Sequence, residues 1–436
     1  MPVKAAAARW WSGLALTALA VGPAWSQSRV TLDEAISRAR RVQPVVIQAE
    51  GQVRNAEARV RSARGAFLPN LTLSGNGQSF FSEQNRVDPL TGLPVLSGET
   101  SQSASGSLST SIELWDGLRR PNELKSARAS TEAAEANLRD ASFQQALTTT
   151  NQFLDALAAR KLLAVREASV RRAEEQLKTS VARLQAGAAI RSDSLRSLVG
   201  VGNAQLQLLT TQAQLATAEA NLGRLIGESG RVEAADDSAF YRVITAVDAD
   251  QLLAEAVARS PQVEAADASL RSAGAALSAS RSPYWPSLNL SASTSLNGNE
   301  ASDWRFRQQR QLTLGLQWSI FNRFTREQSI ATNQVNVDIA RATLEESRRG
   351  VVADLTQRVA ELEAARLRID ITQRSVVAAQ EDLRVQQDRY RLGVSTILDV
   401  LTTTEALDQA EVDVVNARFD YLRAKAAIEA IIGRSL

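Results

Sequence analysis

Apolar and polar residues alternate one by one in two parts of this chain. In the first, Leu71, Leu73, Gly75 and Gly77 interleave with Thr72, Ser74, Asn76 and Gln78, and Ala104, Gly106, Leu108, Thr110, Ile112 and Leu114 interleave with Ser105, Ser107, Ser109, Ser111 and Glu113. In the second, Leu288, Leu290, Ala292 and Leu296 oppose Asn289, Ser291, Ser293 and Asn297. Leu312, Leu314, Leu316, Trp318 and Ile320 oppose Gln311, Thr313, Gln317 and Ser319. A period of two predicts strands with one apolar and one polar face. Two β-hairpins follow, at about 70–115 and 287–320, each strand roughly ten residues long, the length a tilted membrane strand needs. Nearly everything else reads as helix. Pro121 to Gln185 contains no Gly and no second Pro, and at 1.5 Å per residue it predicts a helix roughly 97 Å long. Its counterpart, 325–392, is interrupted only by Gly350. Return helices are expected at 192–226 and 395–432. Gly200 and Gly202 fall inside the first of these, as a bend or a close contact.

The pattern occurs twice. Pro44 and Pro261 are 217 residues apart, as are Pro69 and Pro286, whereas Trp115 and Phe321, and Gly227 and Gly433, are 206 apart. One constant offset on each side of a single change marks a duplication, with 11 extra residues in the first copy between Pro69 and Trp115. The Pro- and Gly-dense stretch Asp88–Pro94 predicts that they form a loop. The first repeat is assigned to 27–227 and the second to 248–436. Residues 228–247, with Asp236, Asp237, Phe240 and Tyr241, read as a linker.

Each long helix ends in the same way. Arg183 is followed by Gly187 and Asp193, and Arg389 by Gly393 and Asp399, at equal spacing. A Gly closing one helix and an acidic residue opening the next join two antiparallel helices. Each copy therefore predicts the tip of a helical hairpin.

Composition narrows the function. Residues 1–26 read as a signal peptide, with Lys4 and Arg9, an apolar run from Trp10 to Val21, and small residues at Ala24 and Ser26. The chain has no Cys and no His, which excludes disulfides, His-based triads and His metal ligands. Of 50 basic and 48 acidic residues, Lys4 and Arg9 leave with the leader, so the mature chain is neutral and does not read as a nucleic-acid binder. No phosphate-binding loop or catalytic constellation is present, so neither enzyme activity nor a cofactor is expected.

Four strands cannot close a membrane barrel, which needs about eight, and an open sheet edge is not tolerated in lipid. Either the strands belong to a soluble sandwich or several chains share one barrel. Strand hairpins mounted on helices roughly 100 Å long favour a barrel continued by a helical tube. Three chains would supply twelve strands and twelve helices.

The stretch Arg389–Asp399 with Val400-Leu401-Thr402-Thr403-Thr404, the run Asn416-Ala417-Arg418-Phe419-Asp420-Tyr421, the stretch Arg183–Asp193, and Pro69 and Pro286 ahead of the strands resemble the outer-membrane efflux protein family, the TolC-like channel-tunnels. The resemblance covers essentially the whole mature chain. It implies an α+β membrane protein with long α-helical hairpins forming a periplasmic α-barrel and four transmembrane strands per chain in a shared 12-stranded barrel. It implies a homotrimer in outer-membrane lipid that docks a periplasmic adaptor and an inner-membrane transporter, as the passive exit duct of a tripartite export system.

The resemblance also implies roles for particular residues. Asp193 and Tyr390 match positions that close the periplasmic end. The family's closing arginine falls at Ser395, and Arg391 is a possible substitute. Asp399 matches an acidic position facing the lumen, while a second falls at Thr402. Gly187, Gly393, Arg183 and Arg389 mark the tip turns where an adaptor would dock. Trp115, Trp285, Trp304 and Trp318 flank the strands, where an aromatic belt is expected. On residue chemistry alone, Asp193 and Asp399 equally suit helix N-termini. Small-molecule efflux and protein secretion both remain open, with the missing lipid-bearing Cys and the second tip leaning toward secretion or multipurpose export. A secreted coiled-coil scaffold or adhesin with soluble hairpins is the alternative, and requires Leu71, Leu108, Leu290 and Leu314 to pack on one another.

Overall fold

The structure is a computed structural model and describes residues 28–90, 92–237, 252–253, 258, 260–299 and 303–433. The expected leader, 1–26, and residues 238–247 of the expected linker lie outside the described residues. In chain order the elements are β1 (Arg29–Val30), α1 (Leu32–Val42), α2 (Pro44–Gly65), β2 (Asn70–Val87), β3 (Pro94–Trp115), α3 (Arg119–Gln185), α4 (Arg191–Ile226) and β4 (Glu233–Ala234). They continue with α5 (Pro261–Ser280), a short 3₁₀ turn at Ser282–Tyr284, β5 (Ser287–Asn299), β6 (Arg307–Gln317), α6 (Thr325–Arg391) and α7 (Ile397–Ile432).

The duplication is visible in the lengths. Helices α3 and α6 each have 67 residues, and α4 and α7 each have 36. Pro44 and Pro261 each open a helix, α2 and α5, where the missing N–H costs nothing. Helix α3 starts two residues before Pro121. Leu118 takes a left-handed conformation, and the Asp116 carboxylate accepts the Arg120 backbone N–H at 2.9 Å, so the first turn forms ahead of the proline.

The four long strands form one antiparallel sheet in the order β2-β3-β5-β6. The register sets like faces together. Leu73 pairs with Leu108, Ile112 with Leu290, Leu290 with Leu314 and Leu288 with Leu316. On the other face Thr72 pairs with Ser109, Ser109 with Ser293 and Ser293 with Gln311. Among the described residues no second layer covers the apolar face. Leu71 is 72% exposed and Leu314 63%, which removes the packing that a soluble sandwich requires. On β6 the apolar face is limited to Leu312, Leu314 and Leu316, and it turns polar at Arg310. Trp318 and Ile320 lie beyond the strand, which ends at Gln317.

The extra residues of the first copy are not in a loop. Pairing of β2 with β3 continues to Val87 and Pro94, past the last β3–β5 pair, Ser103 with Asn299. They lengthen the hairpin. A compact turn closes it, in which the Gly92 N–H bonds Asp88 O at 2.9 Å and the Leu90 N–H bonds the Asp88 carboxylate at 2.9 Å.

The helices make a wall one layer thick. Near the sheet, the neighbours run α2, α3, α5, α6; toward the tips they run α4, α3, α7, α6. Its core lies midway, where Phe153, Leu154 and Leu157 of α3 meet Leu222 and Ile226 of α4, Leu355 of α6, and Phe419 and Ile428 of α7. Beside it the parallel pair β1–β4 is tied down by Glu219, only 2% exposed, which accepts from Arg160 at 2.9 Å and Arg231 at 2.8 Å. Both joints between sheet and wall use one device. Arg120 stacks on Phe67 at 5.1 Å and donates to Ala66 O; Arg326 stacks on Tyr284 at 3.8 Å and donates to Pro283 O. These residues correspond through the repeat.

Candidate functional site

The two tips lie side by side at the end of the wall far from the sheet. Each turn is built by its glycine. Gly187 has φ +71° and Gly393 φ +80°, values that only glycine adopts freely. In the first, the Ala188 N–H reaches back to Arg183 O at 2.8 Å. In the second, the Val394 N–H reaches Arg389 O at 2.9 Å. These 6→1 bonds satisfy the helix-end carbonyls.

The helices that follow open differently. Helix α7 has a capping box, in which Asp399 N–H donates to Thr396 Oγ1 and the Asp399 carboxylate accepts from the Thr396 N–H at 2.9 Å. Thr396 Oγ1 and Ser395 Oγ also donate to it, at 2.8 and 2.9 Å. The Thr396 N–H above all, with the two hydroxyls, holds the Asp399 carboxyl below its usual range. Helix α4 has Ile190 at the N-cap and no side-chain cap. Asp193, at the position equivalent to Asp399, therefore has no capping hydroxyl to hold it, and its charge bears on Tyr390. Burial chiefly, and Asp193 next, push the Tyr390 phenol up, while Arg183 opposes them.

Tyr390 is 3% exposed. The Arg183 guanidinium lies over its ring, 4.4 Å from the centroid, and donates from Nη2 to Ala188 O at 3.1 Å. The structure thus brings Arg183, Asp193, Tyr390 and Gly393 together. It does not bring Arg391, whose guanidinium lies along its own helix, 3.4 Å from Asp388. Ser395 donates to Gln386 and Asp399 rather than across to the first tip. Arg389 is exposed, and so is Asp399. Sequence reading missed the reach of Arg183 across to the second hairpin. It also missed an exposed apolar rim of Ile190, Leu392, Val394 and Leu398, which is marked in the sequence only by the apolar residues flanking each tip glycine.

The four tryptophans lie at the opposite end and are exposed. Trp115, Trp285 and Trp318 border the sheet where it meets the wall, with Trp318 Nε1 donating to Tyr284 O at 3.2 Å, and Trp304 lies in the far turn between β5 and β6. The 13 residues of β5, at a rise of about 3.4 Å and a tilt of about 40°, separate these levels by about 33 Å, close to a bilayer's hydrocarbon thickness. Among the described residues no group of three or more acidic, His or Cys side chains could hold a metal ion, and no helix is long and apolar enough to cross a membrane.

Known proteins resemble the chain over most of its length. A family model described as outer membrane efflux protein matches residues 35–228 and 252–434, one match per repeat. The chain is 25% identical to the pyoverdine export outer membrane protein OpmQ of Pseudomonas putida, over 98% of this chain and 87% of that one. It is 27% identical to OpmQ of Pseudomonas aeruginosa, over 92% and 85%. The outer membrane protein VceC of Vibrio cholerae shares the fold at a TM-score of 0.76 and 16% identity, covering 93% of this chain and 96% of that one.

Proposed function

We infer the role of this protein from one premise: the chain belongs to the outer membrane efflux protein family. It resides in the outer membrane, and its fold and family are those of passive channels. Three copies close into one duct, with a shared barrel of twelve strands in outer-membrane lipid and a helical tube in the periplasm. The carrying observation is that every layer of the wall is unfinished at the same two sides. Strands β2 and β6 are the sheet's unpaired edges, which lipid does not tolerate. Below them the outermost helices carry exposed apolar stripes: Leu195, Val199, Leu206 and Leu209 on α4, and Leu367, Ile371, Val377 and Val385 on α6. On α4 these positions keep a 4-3-4-3 spacing in which Gly202 is one member, with nothing within 4 Å of where its Cβ would lie. That is coiled-coil spacing, and it leaves room for α6 of the next copy to approach. A Cβ at Gly200 would instead meet Leu401 of its own chain in ordinary contact.

The duct has no energy source of its own. It docks a periplasmic adaptor at the tips through the rim of Ile190, Leu392 and Val394, and an inner-membrane transporter drives cargo through it. Asp193 and Tyr390 belong to the closure, and Asp399 holds the start of α7. Of the two cargo classes, small molecules are favoured, because the relatives that cover 98% and 92% of this chain are pyoverdine export proteins. The test is reconstitution of the outer-membrane protein in planar bilayers, with isolation of its complex from cells after crosslinking. Conducting channels and a co-isolated adaptor with its transporter are expected; a non-conducting protein that captures neither would refute the role.

A further inference from the structure

We propose that Arg183 is the clasp of the closed tip, joining the first hairpin to the second through the face of Tyr390 and serving where Ser395 carries no positive charge. The proposal rests on the duct reading above and concerns how its periplasmic end is held.

The seam between the two hairpins runs along α3 and α7. Higher up it is held by Arg172, which bonds Asp408 at 2.5 Å and Glu411 at 2.7 Å. Toward the tips this seam ends at Arg183 and Tyr390. Arg183 is fixed to the first tip by its bond to Ala188 O, and its guanidinium carbon lies 4.4 Å over the Tyr390 ring. It is thus anchored in one hairpin and stacked on the other. The repeat makes this one-directional. Arg389 occupies the same place in the second tip but is exposed, and the counterpart of Tyr390 in the first tip is Leu184, which offers no ring to stack on. The other candidates turn elsewhere, Arg391 to Asp388 and Ser395 to Gln386 and Asp399.

The clasp is built to release. Arg183 Nε and Nη1 and the Tyr390 hydroxyl are buried without a hydrogen-bond partner in the chain. A stacked guanidinium gains from a desolvated ring, but buried polar atoms left unpaired are costly. Parting the tips hydrates all three atoms. Closure is therefore a contact with a standing penalty that separation relieves, and an adaptor offering acceptors to these donors would stabilise the parted state.

Single-channel recording of the full-length trimer in planar bilayers tests this. Wild type is expected to dwell in a low-conductance level. Arg183→Ala and Tyr390→Leu should each raise occupancy of a wide level on the order of tenfold, the factor such a contact carries, and the double variant should match the singles, since both remove one clasp. Arg183→Lys, which keeps the charge without the planar stack, should fall between. Arg391→Ala and Ser395→Ala should behave as wild type. If Arg183→Ala fails to assemble, Tyr390→Leu carries the test alone. Wild-type gating in Arg183→Ala or Tyr390→Leu, an equal effect of Arg391→Ala, or multiplied effects in the double variant would overturn the clasp while leaving the duct standing. Absence of conduction from wild type and every variant would overturn both.

Discussion

Replacing Asp116 by Ala should loosen the joint between sheet and wall by about 3 kcal/mol. The Asp116 and Arg120 side chains are 6% and 8% exposed, and the carboxylate takes both the Arg120 backbone N–H, at 2.9 Å, and Nε, at 2.8 Å. Removing one member of a buried pair leaves an uncompensated charge, at about 3–5 kcal/mol. The lower end applies because Arg120 keeps the Ala66 carbonyl at 3.3 Å and the Phe67 ring at 5.1 Å. The assay is denaturant unfolding of the purified protein followed by tryptophan emission. Trp285 reports on the joint, since a Cβ at Gly117 would lie 2.9 Å from its own Cβ. A second variant checks the cause. Asp116→Ala with Arg120→Met removes both charges and should recover most of the loss, because an apolar pair of similar volume replaces a buried ion pair at little cost. A loss under about 1 kcal/mol in the single variant, or no recovery in the double, would refute the reasoning.

Glycine at positive φ is not equally demanding. Gly187→Ala should cost about 1–2 kcal/mol of local strain, because nothing lies within 4 Å of its Cβ position. Gly117→Ala should cost more, since its Cβ would fall 2.6 Å from Ser282 O; thermal melts of the two variants give the ranking, and equal losses would contradict it. Leu314→Lys, on the apolar face, should reduce outer-membrane assembly, with a cost of about 2–4 kcal/mol at mid-bilayer, whereas Thr313→Lys on the polar face should assemble; heat-modifiable gel mobility distinguishes them. Asp399 titrates below its ordinary value of 3.8. A carboxyl depressed in the folded state stabilises fully above its unfolded value and progressively less as pH falls through the folded one. The advantage of wild type over Asp399→Asn in thermal melts should therefore be level above that value and vanish below it, and an advantage that grows on acidification would contradict the capping role.

Much of this fold could be read from the sequence because its parts repeat and its faces are unmixed. Leu73 and Leu108, or Ile112, Leu290 and Leu314, were assigned to one face by alternation, and the register pairs them as expected. The tip turns were legible because Gly187 and Gly393 carry a backbone requirement. The extra residues of the first hairpin were misread as loop. Asp88–Pro94 has strong turn chemistry, while Ser79-Phe80-Phe81-Ser82-Glu83 lacks clean alternation, although it pairs in register with Glu99–Gln102 and Gly98. The start of α3 was placed at Pro121 because a proline signal is local, whereas the Asp116 carboxylate that advances it depends on the folded turn. At the tips, Thr396 and Asp399 spell a capping box. Nothing local announces that Arg183 meets Tyr390, since that contact exists only once α3 and α6 are brought together across the α3–α7 seam.

The central claim is that the wall is one third of a closed duct. Native mass spectrometry of the protein released from outer membranes in mild detergent tests it most directly. A single species of three chains is the expected result. A monomer with β2 and β6 left unpaired, or a dimer, would contradict the account.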